Sequence, residues 1–519
     1  MAPPPVTASA IFAATSPIDG SALDPVDATS ADQLTALLTG ARQAQQLWAQ
    51  KSVYQRAQVV LGAKQALLSR ARDIAEGVHR EVGKPVEEAV LAEVLPNADL
   101  IDYWCDAAEE LLEPTPVLLD SISYPGKSGH TLKAARGVVA LITPWNYPVA
   151  IPLRTIVPAL LCGNAVIFKP SEVAPRSGAM VAALFADILP AGLLTLVQGD
   201  GALGQQLCDS GVDLVVFAGS VTTGRKVAHQ CAEQLIPCSL ELGGKDAAIV
   251  LADCRLERAA NGVVWGAFTN AGQNCAAIER VYVEERIAEK FIQRVVALTE
   301  ALRPGIDTAM MTTLAQKSIA ARQLEQALAA GASLLTGGAP TDSSGDHRFP
   351  PTVLRIDDDH QSAIVHDETF GPLLPICVVP NAARAIELTN ASRYALTTSI
   401  WSRDIQGAQQ LAAKLNSGVV TINNHGFTAA LPSAPWTGSG LSGYGITNSP
   451  QALSLLTRAK FVLVDKNRQR RELWWYPYTP VLRSIAFAMA KARGGAGLFG
   501  RLGALATLIR SIPKRLFGG

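Results

Sequence analysis

Apolar positions recur at intervals of three and four through residues 31–112, a stretch rich in Ala, Leu, Gln and Glu. That spacing lines one face of an α-helix and predicts a helical first third. Gly83, Lys84 and Pro85 break the pattern once. A β-like stretch at 118–124, a turn at PGKSG and a second stretch at 131–135 predict a hairpin. From residue 137 the pattern changes. GVVALIT (137–143), NAVIFKP (164–170), LLTLVQG (193–199) and DLVVFAGS (213–220) are continuous apolar runs, separated by helix-like segments such as 176–188 and 203–210. Unbroken apolar strands alternating with helices predict a parallel sheet covered on both faces. A second such series starts with AAIVL at 247 and runs to about 420. The fold class expected is α/β, with two parallel-sheet domains meeting near 241–245.

At 519 residues with 48% hydrophobic composition, the chain can bury a core in more than one domain. The net charge is zero, which argues against nucleic acid as a partner. The balance is uneven, however. From Lys466 to Gly519 there are eleven basic residues and one acid, Glu472, so the tail is basic and the rest is acidic. Eight scattered cysteines without a CxxC pair read as reduced thiols of a cytoplasmic protein. The histidines show no metal-ligand spacing, and no metal is expected. The N-terminus lacks the basic start of a secretory signal. The uncharged run between Arg136 and Arg154 is interrupted by Pro144, Asn146 and Pro148, which makes it a poor membrane span.

Five segments carry candidate chemistry. In FAGSVTTGRKVA (217–228) a strand ends at Gly219-Ser220 and Gly224 opens a helix, a turn that lets a pyrophosphate approach backbone N–H groups. The middle glycine of a full dinucleotide fingerprint is absent, so an ordinary strand-to-helix turn fits equally well. In IFKPSE (167–172), Lys169 and Glu172 follow a buried strand and suit ribose hydroxyls, although a charged loop capped by Ser171 reads as well. Cys275 sits in NAGQNCAAIERVYV (270–283) behind the polar pair Gln273-Asn274, whereas Cys162 and Cys377 lie in apolar runs. A thiol in a polar loop is the better nucleophile candidate. Glu241, between leucines in SLELGGKD (239–246), is a carboxylate whose proton affinity desolvation would raise, as a general base needs; a salt bridge to Lys245 is the alternative. Asn146 in TPWNYP (143–148) is an amide held between two prolines, suited to an oxyanion or simply to a turn.

Together PWNYP, FKPSE, FAGSVTTG, ELGGKD, GQNCA, ETFGP (368–372) and SGYG (442–445) resemble the aldehyde dehydrogenase superfamily in order and rough spacing, from about Ser16 to Lys460. The resemblance implies Cys275 as nucleophile, Glu241 as general base, and the Asn146 amide with the Cys275 N–H as oxyanion hole. It implies an NAD site, with NADP possible, made by Trp145, Lys169, Glu172, Gly219, Ser220, Gly224, Glu368 and Phe370. An aldehyde is the implied substrate, with Tyr147, Arg154 and Trp436 on its side. The implied domains are 1–116 with 137–240 for the cofactor and 241–447 for catalysis. An arm of 117–136 and 455–465 would join a homodimer or homotetramer. Thr437 departs from the family, which usually has glycine in the PWTG run (435–438). Arg154 stands where succinic-semialdehyde-type relatives carry a carboxylate-binding arginine, but their second arginine is Thr269 here.

Two other readings carry different expectations. A CoA-acylating relative would generally lack Glu241, and a silent scaffold would have no need of Cys275, Glu241 and Asn146 together. The tail, 466–519, has no counterpart in the family pattern. It clusters aromatics in WWYPYTP (474–480), then predicts helices at 481–493 and 497–516. Leu498, Leu502, Leu505, Ile509 and Ile512 recur at three and four among basic residues. Such a basic amphipathic tail cannot span a bilayer but suits peripheral contact with a membrane surface.

Overall fold

The computed structural model describes residues 11–12, 14–121, 123–340, 345–356, 362–495 and 497–517. Contacts divide the chain into two units, one of residues 1–113 and 133–459 and one of 114–132 and 460–519.

The first unit opens with helices, more finely divided than the apolar spacing predicts. They span Ala31–Trp48, Val53–Val60, Gly62–Ser69, Ala71–Val82 and Leu95–Leu112. The missed signal is at Ser52, whose hydroxyl and Gln55 form a reciprocal capping box that starts a new helix. Ser30 and Gln33 do the same for the first helix. Gly83, at φ +81°, takes the left-handed cap that ends Ala71–Val82. Trp48 is buried at the other end of its helix, and its indole donates to the Leu160 carbonyl at 2.8 Å.

The continuous apolar runs become buried strands. Val138–Ile142, Ala165–Lys169, Leu194–Leu196, Leu214–Ala218 and Cys238–Glu241 form a parallel sheet. Gly443–Tyr444 adds a sixth, antiparallel strand against Leu240 and Glu241. The apolar pattern did not reveal Cys238–Glu241, a short strand that ends on a carboxylate. The second sheet has seven strands, ordered Ser333–Thr336, Thr352–Ile356, Leu373–Val379, Ile278–Glu284, Asp246–Val250, Thr397–Trp401 and Val419–Ile422. Only the first pair is antiparallel. One apolar core surrounds the first sheet, and one lies on each side of the second. The α/β architecture with two largely parallel sheets is the one the runs predicted.

The second unit holds most of a three-stranded sheet of Thr115–Val117, Lys127–Ala135 and Thr457–Asp465. The second expected stretch, 131–135, lies within the strand Lys127–Ala135, whereas the first is shifted to Thr115–Val117. Residues 118–121 and 123–126 belong to the connection, and the strands lie on either side of them. The tail then forms two helices, Pro480–Ala490 and Leu498–Phe517, close to the predicted spans. No helix among the described residues is long and apolar enough to cross a membrane.

Candidate active site

Asn146 lies in the loop between the strand Val138–Ile142 and the helix Ala150–Leu161, and it is buried. The buried Lys84 ammonium donates to the Asn146 carbonyl at 3.0 Å and to Glu93 Oε1 at 2.5 Å. Glu93 Oε2 accepts from the N–H groups of Val149 and Ala150 at the start of the following helix. Lys84 also stands 3.7 Å from the Tyr147 ring centroid. Glu93 is carried by a π-helical turn, Val90–Val94, of the kind that re-aims a side chain within a helix. A buried ion pair thus braces the backbone at Asn146 and just after the PWNYP segment. The Asn146 amide donates to the Gln273 carbonyl at 3.1 Å, so the two loops meet at this residue.

The loop before Cys275 is strained. Asn270 and Ala271 hold φ of 50° and 54°, and Gly272 follows at 70°. Left-handed backbone at a residue other than glycine costs on the order of 1–3 kcal/mol and persists only where its surroundings fix it. Here Asn270 Nδ2 donates to the carbonyls of Asn146 and Gln273, and Glu88 accepts from the Asn270 N–H and the Thr269 hydroxyl. The Gln273 amide bonds to Asn270, Met310 and Thr312. Gln273, one of the polar pair that marks this loop in the sequence, is therefore fully buried and holds the loop through its amide. His425, on no sequence pattern, donates through Nε2 to the Ala276 carbonyl at 2.6 Å; burial holds its pKa down to about 4, so the ring is neutral.

Cys275 is half-buried, and its thiol faces Asn274 Oδ1 at 3.8 Å. Burial first, then the Glu241 carboxylate, pushes the thiol well above its ordinary value, while Arg154 opposes them. Glu241 ends its strand with its own pKa raised by burial, again opposed by Arg154. Trp436 was expected on the substrate side. Instead it is fully buried, and its indole N–H donates to Glu241 Oε1, because a buried N–H needs an acceptor. Close approach explains the two glycines after Glu241. A Cβ on Gly243 would meet the Glu368 carboxylate at 2.2 Å, and one on Gly244 would meet the Cys275 carbonyl at 2.2 Å. Thr437, in place of the family's glycine, donates to the Gly445 carbonyl at 2.8 Å and so ties its loop to the SGYG segment.

Two cavities meet at Cys275. The smaller, about 300 Å³, is lined by Trp145, Asn146, Gly219, Ser220, Glu241, Glu368 and Phe370 among others. A nicotinamide dinucleotide fits these residues. Ser220 caps the N-terminus of the helix Val221–Gln234, whose unpaired N–H groups favour an anion. At Gly219 a Cβ would strike the Phe217 ring at 2.7 Å. Glu368 accepts from the Gly244 N–H at 3.0 Å, and burial with the nearby Glu279 raises its pKa to about 8. A second buried pair, Lys245 and Glu279 at 2.7 Å, backs this wall: Glu279 accepts from the N–H groups of Thr369 and Phe370. Phe370, at φ 50°, packs edge-on to Trp145 at 5.6 Å. Lys169, Glu172 and Gly224 do not line this cavity. Lys169 is buried beside the exposed Glu172 at 3.6 Å, with its pKa lowered by burial. Gly224 is needed for packing, since a Cβ there would meet Leu242 at 2.5 Å.

The larger cavity, about 790 Å³, is walled by Leu91, Tyr147, Ile151, Val264, Trp265, Phe268 and Phe427, with Glu88, Arg154 and Thr269 nearby. A thiol, a carboxylate and an amide thus share one junction between a space suited to a dinucleotide and a mainly apolar one.

The aldehyde dehydrogenase family model matches residues 6–462. A 4,4'-diapolycopene aldehyde oxidase of Methylomonas sp is 35% identical over 473 residues, covering 90% of this chain and 88% of its own. A 4-trimethylaminobutyraldehyde dehydrogenase of Mus musculus is 33% identical over 476 residues, covering 89% of this chain and 94% of its own. Among solved structures, an NAD-dependent aldehyde dehydrogenase of Sinorhizobium meliloti superposes with a TM-score of 0.84 at 29% identity, over 90% of this chain and 93% of that one. With the motifs in order, the two cavities meeting at a cysteine and a family match over most of its length, this chain belongs to the aldehyde dehydrogenase family.

Proposed function

We propose that this aldehyde dehydrogenase oxidises a long, mainly apolar aldehyde and releases the acid by hydrolysis, with Cys275, Glu241 and Asn146 as its catalytic residues. The observation that carries this is the wide apolar cavity ending at Cys275. At rest Cys275 holds its proton, because burial and the Glu241 charge oppose a thiolate. As the sulfur attacks the aldehyde carbon, its proton passes to solvent water, and Glu241, made more basic by burial, is kept as the base of the later step. The oxyanion of the hemithioacetal is held by the Asn146 amide and the Cys275 N–H. A nicotinamide bound in the smaller cavity supplies the hydride acceptor. Glu241 then deprotonates the water that attacks the Cys275 thioester, which favours hydrolysis over transfer to CoA. The similarity to a protein named for a diapolycopene aldehyde supports an apolar substrate.

Arg154 argues weakly for an ω-carboxylate. In the position of a second arginine, the Thr269 hydroxyl donates to Glu88, which puts a carboxyl group rather than a cation in the same wall. NAD is preferred to NADP, because Glu172 would repel a 2′-phosphate. The three-stranded sheet serves as the arm of a homodimer or homotetramer, and the basic C-terminal segment makes a peripheral membrane contact.

Cys275→Ala should abolish NADH formation while the protein still binds NAD. On the intact enzyme, kcat/KM should rise from butanal to decanal and stay low for succinic semialdehyde. A variant that keeps more than a few per cent of turnover overturns the nucleophile, and a preference for succinic semialdehyde overturns the substrate class.

A further inference from the structure

We infer that the C-terminal helical hairpin docks on the surface of an anionic lipid bilayer, with the apolar stripe of the Leu498–Phe517 helix lying in the interface. This deepens the membrane contact proposed above and does not depend on the substrate class.

Polar contacts tie the hairpin and the segment before it into their unit. Lys127 is held between Asp465 and Glu472, at 2.8 Å from each. Asn467 donates to the Pro125 carbonyl at 2.7 Å, and Arg493 to the Ser123 hydroxyl at 2.9 Å. Arg515 is buried and donates to the carbonyls of Leu473 and Trp475. Among the described residues, Ile485, Ala488 and Ala504 are the buried apolar ones of the two helices.

With that packing satisfied, the large apolar side chains still point outward. Leu498 is 72% exposed, Phe499 88% and Ile509 67%, with Leu502 and Leu505 also exposed. Positions 498, 502, 505 and 509 lie four, three and four apart, which is one stripe of a helix. A helix on a soluble protein normally turns such a stripe inward, so an outward stripe marks a surface meant for contact. Arg501 and Arg510 lie next to the stripe and are exposed. Phe487 on the Pro480–Ala490 helix and the cluster Trp474, Trp475, Tyr476 and Tyr478 add exposed aromatic surface, the composition that settles at headgroup depth.

Charge selects the occupant. The segment from Lys466 onward has eleven basic residues and one acid. Two copies meeting through this face would set like charges against each other, because a symmetric contact pairs a patch with itself. A bilayer with anionic headgroups presents the opposite charge beside an apolar layer, and so complements both features at once.

The test is flotation of the full-length protein with vesicles of phosphatidylcholine alone or mixed with phosphatidylglycerol. Turnover of a soluble short aldehyde is measured on the same samples. Wild type should float with the mixed vesicles at low salt and be released by high salt. Leu502→Glu/Leu505→Glu/Ile509→Glu should lose flotation at unchanged turnover. Arg501→Glu/Arg510→Glu should weaken it by roughly tenfold or more. Wild type that turns over aldehyde but floats with neither vesicle overturns the inference. So does a triple variant that still floats, or one whose solution mass falls to a fraction of the wild-type value, since the stripe would then join copies of the chain. Flotation without turnover would fault the enzymatic reading and leave the docking surface standing.

Discussion

Two buried lysine–glutamate pairs brace the cleft, and they differ in what they hold. Lys84–Glu93 belongs to the lobe of the six-stranded sheet and fixes the Asn146 carbonyl and the backbone at Val149 and Ala150 that follows it. Lys245–Glu279 belongs to the other lobe and fixes the backbone of Thr369 and Phe370 beside Glu368. A buried ion pair adds little net stability, since desolvation offsets most of its attraction. What each pair provides is position: one for the amide proposed to meet a developing charge, the other for groups that line the smaller cavity. The comparison teaches that two similar devices should fail in different kinetic constants.

Lys84→Met should have the largest effect. Losing the brace should cost kcat roughly 100- to 1000-fold, the range for a displaced oxyanion donor. The Glu93 charge left unpaired should destabilise the fold by about 3–5 kcal/mol. Adding Glu93→Gln should recover melting temperature without recovering kcat. A Lys84→Met enzyme with normal kcat would make this pair purely structural.

Glu279→Gln should act on the other constant. Two backbone N–H groups lose a charged acceptor, each such bond contributing about 1.5–3 kcal/mol. KM for NAD should rise roughly tenfold or more while kcat changes far less. If kcat falls and KM holds, the division of labour between the pairs is wrong.

A smaller effect concerns pH. The Glu368 carboxyl has its pKa raised to about 8, so it is protonated below that pH in the free enzyme. Ribose hydroxyls donate best to the carboxylate. KM for NAD should therefore fall as pH rises through about 8, and Glu368→Gln should flatten the profile. The smallest effect is expected at the exposed Glu172, where Glu172→Ala should raise the ratio of NADP to NAD turnover severalfold.

Much of the fold was legible because its buried strands are continuous apolar runs. Val138–Ile142, Ala165–Lys169 and Leu214–Ala218 fall within residues of their expected places. Cys238–Glu241 escaped, being short and ending in a carboxylate. The first strand of the hairpin was displaced because apolar residues at 118 and 124 lie in the connection and not in a strand. In the site, Cys275, Glu241 and Asn146 are marked by segments whose order is informative. Their supports are not. Lys84 reaches Asn146 across 62 positions, and Glu279 reaches Phe370 across 91. No local period encodes such contacts. The burial of Gln273 escaped for the same reason, since a polar residue in a loop can be buried when its amide has partners elsewhere. Trp436 reads as an aromatic substrate wall until its indole N–H finds Glu241.

The central claim is that Glu241 serves the hydrolysis of a thioester on Cys275. Glu241→Gln mixed rapidly with NAD and aldehyde tests it most directly. A burst of NADH near one equivalent per active site should appear, followed by negligible turnover, with the acyl group on Cys275 detectable by mass. Steady turnover at the wild-type rate, or a full burst with no acyl adduct on Cys275, would contradict it.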